Sequence, residues 1–218
     1  NFIRLNMNCH DQPSKQNTST KLKRVLIIGN PNTGKSTLFN LLTGARQKIA
    51  NYPGVTVEKK IGYFELEDQG QVELIDVPGC YSLTARSPDE EIAHDCLVAN
   101  KPGYDPADLV LCIVDASNIE RNLYLALQLR ERNINMIVVL NMMDEAREQG
   151  ININHVKLAK LFKCPVVPIA AKQAWGLNLL NSEIKAQLMG SSNQDFTLPW
   201  QLSDIQKIHI EEIKLKYL

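Results

Sequence analysis

Short, largely apolar runs alternate along the chain with segments in which apolar residues recur at helical spacing. The apolar runs, which are typical of strands buried on both faces of a sheet, occupy residues 25–28, 109–114, 136–140 and 166–169. Helical spacing occupies residues 35–43, 119–132, 154–162 and 177–188. This alternation predicts an α/β domain over residues 24–189, with a mostly parallel central sheet flanked by helices on both faces.

Local signals add a hairpin, a helix start and a loop to this outline. Residues 59–66 and 71–75 flank the turn sequence DQG, which predicts a β-hairpin. The sequence SPDE at residues 87–90 predicts the first turn of a helix, because a capping Ser is followed by Pro and then by Glu three residues after the cap. Pro and Gly within residues 51–58 predict a loop.

Both ends of the chain depart from this pattern. Residues 1–23 are polar and aperiodic, which predicts a flexible N-terminal extension. Residues 190–218 begin with a linker containing Gly and Ser and continue as a helical segment with an apolar stripe of Ile205, Ile208 and Ile213. Since one or two helices cannot enclose a core, we expect the start of a partial C-terminal helical subdomain.

Composition argues against several classes of protein. Basic and acidic residues number 24 each, so the chain lacks the basic character of a nucleic-acid binder, and no nucleic-acid partner is expected. The five cysteines are odd in number and form no C-x-x-C pair, which favours free thiols over disulfides or a zinc site. No apolar run approaches the roughly 18 residues of a membrane span, and no signal-peptide pattern is present, so we expect a soluble polypeptide.

The strongest motif is GNPNTGKS at residues 29–36, which fits the phosphate-binding pattern G-x-x-x-x-G-K-[ST] between a predicted strand and a predicted helix. Its glycines let backbone N–H groups turn toward phosphates at the helix N-terminus. Lys35 is expected to reach the β- and γ-phosphates, and the Ser36 hydroxyl to ligate magnesium. The alternative is a Gly-rich turn that matches by chance. The predicted phosphate site comprises Gly29, Asn30, Pro31, Asn32, Thr33, Gly34, Lys35, Ser36 and Thr37.

Two further segments are expected to sense the γ-phosphate. In DVPG at residues 76–79, Asp76 can hold magnesium through water and the Gly79 N–H can meet the γ-phosphate, although this sequence alone is a turn. In NYPGVTVE at residues 51–58, the candidates are Gly54, Val55 and Thr56. The Thr56 hydroxyl is expected to complete the magnesium shell only when GTP is present, which makes an order–disorder switch. The alternative is that Thr56 forms part of a strand.

Base recognition is predicted from two short motifs that follow strands. NMMD at residues 141–144 fits the guanine pattern N-x-x-D, in which the carboxylate of Asp144 accepts two hydrogen bonds that adenine cannot donate. Asn141 is expected to bridge the base and the phosphate loop, and Met142 to lie over the purine ring. The alternative is that Asp144 caps a helix. In AAK at residues 170–172, the Ala171 N–H is expected to contact the guanine carbonyl oxygen. The predicted base site comprises Asn141, Met142, Asp144, Ala170, Ala171 and Lys172.

Four sequence runs resemble the G domain of the FeoB family of ferrous-iron transporters: NYPGVTVEKK (51–60), DVPGCYSLTARSPDEE (76–91), IVDASNIERNLYLAL (113–127) and LNMMDE (140–145). The resemblance covers about residues 23–188 and implies a P-loop GTPase fold that binds GTP and GDP with magnesium and hydrolyses GTP. It also implies a membrane-embedded remainder of the same polypeptide, a location at the cytoplasmic face of the bacterial inner membrane, and gating of Fe(II) uptake. A small cytosolic regulator and a homo-oligomer are further partners that the resemblance leaves open.

The expected catalytic residues are Lys35, Asn32, Thr56 and Gly79. Many regulatory GTPases have Gln after the last Gly of the D-x-x-G motif, where it orients the attacking water, but this sequence has Cys80. A thiol is a weak hydrogen-bond partner, so we favour packing beneath the switch as its role.

No arginine finger is evident in the sequence, and Arg46 and Arg86 are expected to be solvated charges. The resemblance implies that Asn32 instead binds a potassium ion, which offsets charge on the phosphates and makes a slow hydrolysis potassium-stimulated. The alternative is that Asn32 only tolerates an unusual turn.

Two other functions are compatible with these motifs. A ribosome- or tRNA-associated GTPase shares Asn in the phosphate loop, although residues 191–218 carry no RNA-binding signature. A GTP-dependent binding module with negligible turnover is the second. RNA binding and single-turnover hydrolysis distinguish these functions from a transporter GTPase.

Overall fold

A computed structural model describes residues 22–44, 46–67, 70–84, 87–99 and 101–190. Within those residues the chain forms a seven-stranded sheet with the strand order β2-β3-β4-β1-β5-β6-β7. The strands are β1 (Lys23–Gly29), β2 (Gln47–Asn51), β3 (Glu58–Leu66), β4 (Gly70–Asp76), β5 (Leu109–Asp115), β6 (Met136–Asn141) and β7 (Val166–Pro168). The α-helices are α1 (Lys35–Thr43), α2 (Pro88–Val98), α3 (Ile119–Glu131), α4 (Met143–Glu148), α5 (His155–Phe162) and α6 (Leu177–Met189). Short 3-10 helices cover Ala116–Asn118 and Ala171–Gln173.

The predicted α/β architecture is confirmed. β1 pairs in parallel with β4 and β5, and β5, β6 and β7 continue the parallel arrangement. β2, β3 and β4 form an antiparallel meander, which includes the predicted hairpin. The predicted helix start is also confirmed, since the Ser87 side chain accepts a hydrogen bond from the Glu90 N–H at 3.3 Å.

Apolar side chains cover both faces of the sheet. Along β1, Leu26 and Ile28 belong to one buried cluster, while Val25 and Ile27 belong to a second. Successive strand residues point to opposite faces, so burial of every residue requires helices on both sides. Each fully buried aliphatic side chain stabilises the fold by about 1.5–3 kcal/mol.

This topology collects functional loops at one edge of the sheet. Gly29, Asp76 and Asn141 are the last residues of β1, β4 and β6, and all three strands run in the same direction. Ligand sites in open α/β sheets form at the carboxyl ends of such strands. The phosphate, sensing and base motifs are therefore brought to one edge.

Residues 1–21 and 191–218 lie outside the described residues. The predicted N-terminal extension and helical subdomain fall almost wholly within them, so the domain boundaries at 23 and 190 remain predictions. Among the described residues, no helix combines the length and apolar content that a membrane span requires.

Candidate functional site

The phosphate loop connects β1 to α1 through two residues with positive φ. Gly34 is the N-cap of α1 at φ 85°, and a Cβ there would collide with the side-chain amide of Asn141. Asn32 has φ 65°, a conformation that Asn tolerates better than most residues. The backbone of Asn32 therefore has the turn-forming role considered from the sequence. This backbone role does not involve the side-chain amide.

Lys35 is buried at the centre of this loop, with 8% of its surface exposed. Its ammonium donates to the backbone carbonyls of Gly29 at 3.1 Å and Asn30 at 2.8 Å. Burial lowers the pKa of Lys35, and the nearby Asp76 carboxylate offsets part of that effect. The loop thus holds the positive charge of Lys35 where an anion could take the place of the Gly29 and Asn30 carbonyls as its hydrogen-bond acceptor.

Two adjoining cavities open around the phosphate loop, and Asn32, Lys35 and Ser36 line both. The α4 cavity, of about 400 Å³, is lined by Asn32, Gly34, Lys35, Ser36, Thr37, Asn141, Met142, Asp144, Glu145, Ala171 and Lys172. The β4 cavity, of about 480 Å³, is lined by Pro31, Asn32, Lys35, Ser36, Val57, Glu58, Lys60, Asp76, Val77, Pro78, Gly79 and Asp89. The structure therefore joins the predicted base motifs and the predicted sensing motif to one phosphate loop.

Asn141 connects the phosphate loop to the loop after β7. Its Nδ2 donates to the Thr33 carbonyl at 2.9 Å, and its Oδ1 accepts from the Ala171 N–H at 2.9 Å. The Ala171 N–H, which is predicted to contact the guanine carbonyl oxygen, thus donates to Asn141 in this structure. Asn141 is only 3% exposed, and a buried amide oxygen requires a donor, which the Ala171 N–H supplies.

Asp144 lies in the first turn of α4, whose N-cap is Met142 at φ 61°. The alternative in which Asp144 caps a helix is therefore wrong. Its Oδ2 accepts a hydrogen bond from Gln173 Nε2 at 3.1 Å. Gln173 was not identified from the sequence, and only its position directly after Lys172 could have suggested it. The Lys172 ammonium lies 2.9 Å from Glu145 Oε1, and both residues line the α4 cavity.

Met142 lies between the base motif and the phosphate loop. Its Cε is 3.9 Å from the point where a Cβ on Gly34 would lie. The side chain lines the α4 cavity, where a polarisable thioether is suited to contact a flat aromatic ring.

Ser36 and Asp76 form the oxygen pair predicted to hold magnesium. Ser36 Oγ donates to Asp76 Oδ2 at 3.4 Å, while Asp76 Oδ1 is buried with no hydrogen-bond partner in the structure. Burial raises the pKa of Asp76, and the charges of Lys35 and Lys60 oppose that shift. Magnesium prefers hard oxygen ligands and retained waters, so this pair fits the ion.

Of the loop between β2 and β3, only Val57 lines one of the two cavities. Thr56 is exposed in this loop and belongs to neither strand, so its strand alternative is wrong. Gly54 adopts φ 78° and Val55 is 40% exposed. The predicted site residues that line neither cavity are Gly29, Asn30, Thr33, Gly54, Val55, Thr56 and Ala170.

Of the two arginines considered from the sequence, the structure describes only Arg46, and it lines neither cavity. The Arg46 side chain is 64% exposed and lies 3.5 Å from Glu65 Oε1, as expected of a solvated charge. Arg86 is outside the described residues. Neither cavity is lined by an arginine of the described ranges.

The backbone after β4 lies directly against the phosphate loop. A Cβ on Gly79 would be 3.0 Å from Lys35 Nζ and 3.1 Å from Pro31 N, so a larger residue would displace one of them. The Cys80 N–H donates to the Gly29 carbonyl at 3.2 Å, and its side chain is 2% exposed. Burial raises the pKa of the Cys80 thiol to about 12. The thiol is therefore neutral and packed in the core, as the packing interpretation predicted.

Replacement of Cys80 by Ala is expected to change the rate of nucleotide hydrolysis by less than about tenfold, because a buried neutral thiol cannot orient water. Single-turnover hydrolysis measures this change. Cys112→Ala is the matched control, since it removes another buried thiol, from β5, and reports the cost of the cavity alone. A loss of several hundredfold in Cys80→Ala alone would assign the thiol a direct role.

Comparisons with known proteins show which family shares this sequence and site. The family model for Ferrous iron transport protein B matches residues 23–184. The Fe(2+) transporter FeoB of Shigella flexneri is 49% identical over 162 residues, which cover 72% of this chain and 20% of that protein. The chain thus spans about a fifth of the length of such curated relatives.

Solved structures agree with that match. The FeoB G-domain from Methanococcus jannaschii is 41% identical, with a TM-score of 0.66 and coverage of 78% of this chain and 99% of that one. The cytosolic domain of the T. maritima FeoB iron transporter in a GDP form is 37% identical, with a TM-score of 0.76 and coverage of 89% and 73%. The fold is therefore the P-loop GTPase fold, and the chain belongs to the Ferrous iron transport protein B family, whose N-terminal G domain it contains.

Proposed function

We propose that the chain binds GTP and GDP, hydrolyses GTP to GDP and phosphate, and acts as the switch that gates Fe(II) uptake by a membrane transporter. The observation that carries this proposal is the α4 cavity, where the phosphate loop and Asp144 line one space of about 400 Å³. The T. maritima relative in its GDP form, which is 37% identical, supports the same ligand.

Guanine is selected by the carboxylate of Asp144. A carboxylate accepts hydrogen bonds and donates none, so it pairs with the ring N–H and exocyclic amine of guanine. Adenine presents an acceptor in place of that ring N–H, which would leave the carboxylate facing a lone pair. Gln173 fixes the orientation of the carboxylate, and Met142 supplies an apolar contact for the ring.

Phosphate binding depends on Lys35 and the N-terminus of α1. The Lys35 ammonium exchanges the Gly29 and Asn30 carbonyls for β- and γ-phosphate oxygens, while loop N–H groups bind the remaining oxygens. Ser36 and Asp76 would hold magnesium, which neutralises phosphate charge. Asn32 would bind a potassium ion through its amide oxygen, and that charge would serve in place of an arginine finger.

The switch consists of the Thr56 loop and Gly79. Thr56 is exposed and lines neither cavity, so we expect its loop to close when a γ-phosphate is bound, and Gly79 already lies beside Lys35. GTP would hold the loop closed and GDP would release it, which is the order–disorder change that switches a GTPase. We further propose that the domain lies at the cytoplasmic face of a bacterial inner membrane. There the remainder of the polypeptide, a small cytosolic regulator or a second copy of the chain would respond to the position of the Thr56 loop.

Two measurements on the wild-type chain test the proposed function. Fluorescent GDP should be displaced by GDP and GTP at far lower concentrations than by ATP, and single-turnover assays should release phosphate from GTP. Tight GTP binding without phosphate release would indicate a binding module. Retention of RNA on a filter would favour the ribosome-associated alternative.

Replacement of Thr56 by Ala should slow GTP hydrolysis by about 10- to 100-fold and leave GDP affinity nearly unchanged, because the hydroxyl acts only with the γ-phosphate. Single-turnover rates and GDP titrations measure the two effects. Thr56→Ser keeps the hydroxyl and should recover most of the rate. Equal losses of GDP and GTP binding in Thr56→Ala would make Thr56 structural.

A further inference from the structure

Tyr52 begins the loop that carries Thr56 and closes that loop on itself. The Tyr52 N–H donates to the Val57 carbonyl at 3.0 Å, and the Val55 N–H donates to the Tyr52 carbonyl at 3.3 Å. Thr56 lies between these two bonds. Although the loop is exposed, the Tyr52 side chain is 1% exposed, so the loop is anchored at one buried residue.

The same side chain reaches the end of β4. Tyr52 Oη donates to the backbone carbonyl of Asp76 at 3.1 Å. Burial raises the pKa of Tyr52 well above its usual range, so the hydroxyl remains a donor. One residue thus connects the Thr56 loop to the strand end that presents the Asp76 carboxylate, and both carry predicted magnesium ligands.

On its other side, Tyr52 rests on the segment that joins α2 to β5. The rings of Tyr52 and Tyr104 stack with centroids 6.1 Å apart and an interplanar angle of 13°. Next to them, Pro53 fills the space where a Gly103 Cβ would lie, with its Cγ at 2.6 Å, and Gly103 has φ 87°. We define the brace as residues 101–104, the sequence KPGY.

The brace is itself fixed to α2. The Lys101 ammonium lies 2.7 Å from Asp95 Oδ2, and Asp95 is 6% exposed. On α2, Cys96 is buried in the same hydrophobic cluster as Tyr52 and Tyr104. The Thr56 loop is therefore supported from α2 through one aromatic pair.

From this geometry we propose that Tyr52 is a positioning residue for the magnesium-binding side of the nucleotide site, and that Tyr104 of the brace holds Tyr52 in place. This inference rests on the proposed nucleotide function. Loss of the Tyr52 hydroxyl removes one hydrogen bond that holds the end of β4, and loss of the Tyr104 ring removes the support of Tyr52. Each change weakens the magnesium-dependent retention of GDP without removing a group that touches the nucleotide.

The first test is release of fluorescent GDP from the whole chain, measured with magnesium and again with excess EDTA. Tyr52→Phe should release GDP roughly three- to tenfold faster than wild type in magnesium, as expected for the loss of one buried hydrogen bond. In EDTA the two rates should converge. Tyr104→Ala should behave in the same way, whereas Tyr104→Phe, which preserves the ring, should match wild type.

A matched control separates this effect from a general loss of stability. Tyr63→Phe removes a hydroxyl from β3 at the position paired with Glu73, three residues before the strand end at Asp76, and should leave release unchanged. Equal acceleration of Tyr52→Phe with and without magnesium would reduce Tyr52 to a structural role. Wild-type release from Tyr104→Ala in magnesium would overturn the role of the brace.

A second readout needs no nucleotide, so failure of the proposed function cannot conceal failure of this inference. Hydrogen exchange of the Val55 amide, which is bonded to Tyr52, should become faster in Tyr104→Ala than in Tyr104→Phe. Equal exchange in the two variants would show that the stack does not hold the loop. If wild type fails to bind GDP while exchange differs as expected, the nucleotide assignment is wrong and the mechanical link stands.

Discussion

Replacement of Asp144 by Asn is expected to weaken binding of GTP and GDP by a factor of about 10² to 10³, because a hydrogen bond to a charged group is worth about 1.5–3 kcal/mol and the variant loses one such bond and the charge behind the other. The Asn side chain would place an NH₂ donor where the carboxylate had offered an oxygen. Xanthine carries a carbonyl in place of the exocyclic amine of guanine, so the variant should prefer xanthosine nucleotides.

Competition against fluorescent GDP measures this change for GTP, xanthosine triphosphate and ATP. Glu148→Gln makes the same change of charge on the same helix at an exposed position outside the α4 cavity, and should retain the wild-type preference. Competition by ATP and GTP at similar concentrations in wild type would contradict the base assignment.

Hydrolysis is expected to be about 10²-fold faster in potassium than in sodium, because a preorganised charge at the phosphates is worth about 2.7–4 kcal/mol in the transition state. Neither cavity is lined by a described arginine, and Cys80 follows Gly79 where many regulatory GTPases have Gln. Asn32 lines both cavities and can offer an amide oxygen between them. Potassium is large and loses water readily, which suits a site made of one amide oxygen, phosphate oxygens and switch carbonyls.

The backbone of Asn32 determines which variant tests this prediction. Ala at φ 65° would add strain to the loss of the amide, whereas Gly adopts that conformation freely. Asn32→Gly should therefore bind GDP and lose the potassium response, and initial rates at equal ionic strength measure it. Equal wild-type rates in both salts would leave Asn32 with its turn role alone, and a response that persists in Asn32→Gly would assign the cation to other ligands.

The elements predicted correctly from sequence are those with a strong periodic signal. Helix α1 matches its predicted bounds because apolar spacing and Gly44 coincide at its end. Strand β2 was missed because all five of its residues are exposed, so it has no buried apolar positions to form a pattern. The strand forms through backbone pairing with β3, which leaves no trace in the side-chain sequence. Helix α4 was missed because six residues are too few to establish a period.

The same limit applies to the site. Motif residues could be placed because parallel strands bring their carboxyl ends together, whatever the details of the side chains. The contacts of Gln173 with Asp144 and of Tyr52 with Tyr104 join residues that are 29 and 52 positions apart, and no spacing rule predicts them. The sequence also does not reveal that Asn141 Oδ1 accepts the Ala171 N–H in this structure, and the contact of that N–H with guanine stays a prediction.

Asn141 is almost fully buried, with a carbonyl on one side of its side-chain amide and an N–H on the other. Only a side chain that donates and accepts at that reach satisfies both. Asp would set an oxygen against the Thr33 carbonyl, and the extra methylene of Gln would shift the amide away from both partners. Replacement of Asn141 would therefore loosen the phosphate loop and the base loop together. A single substitution here would disturb both halves of the ligand pocket at once.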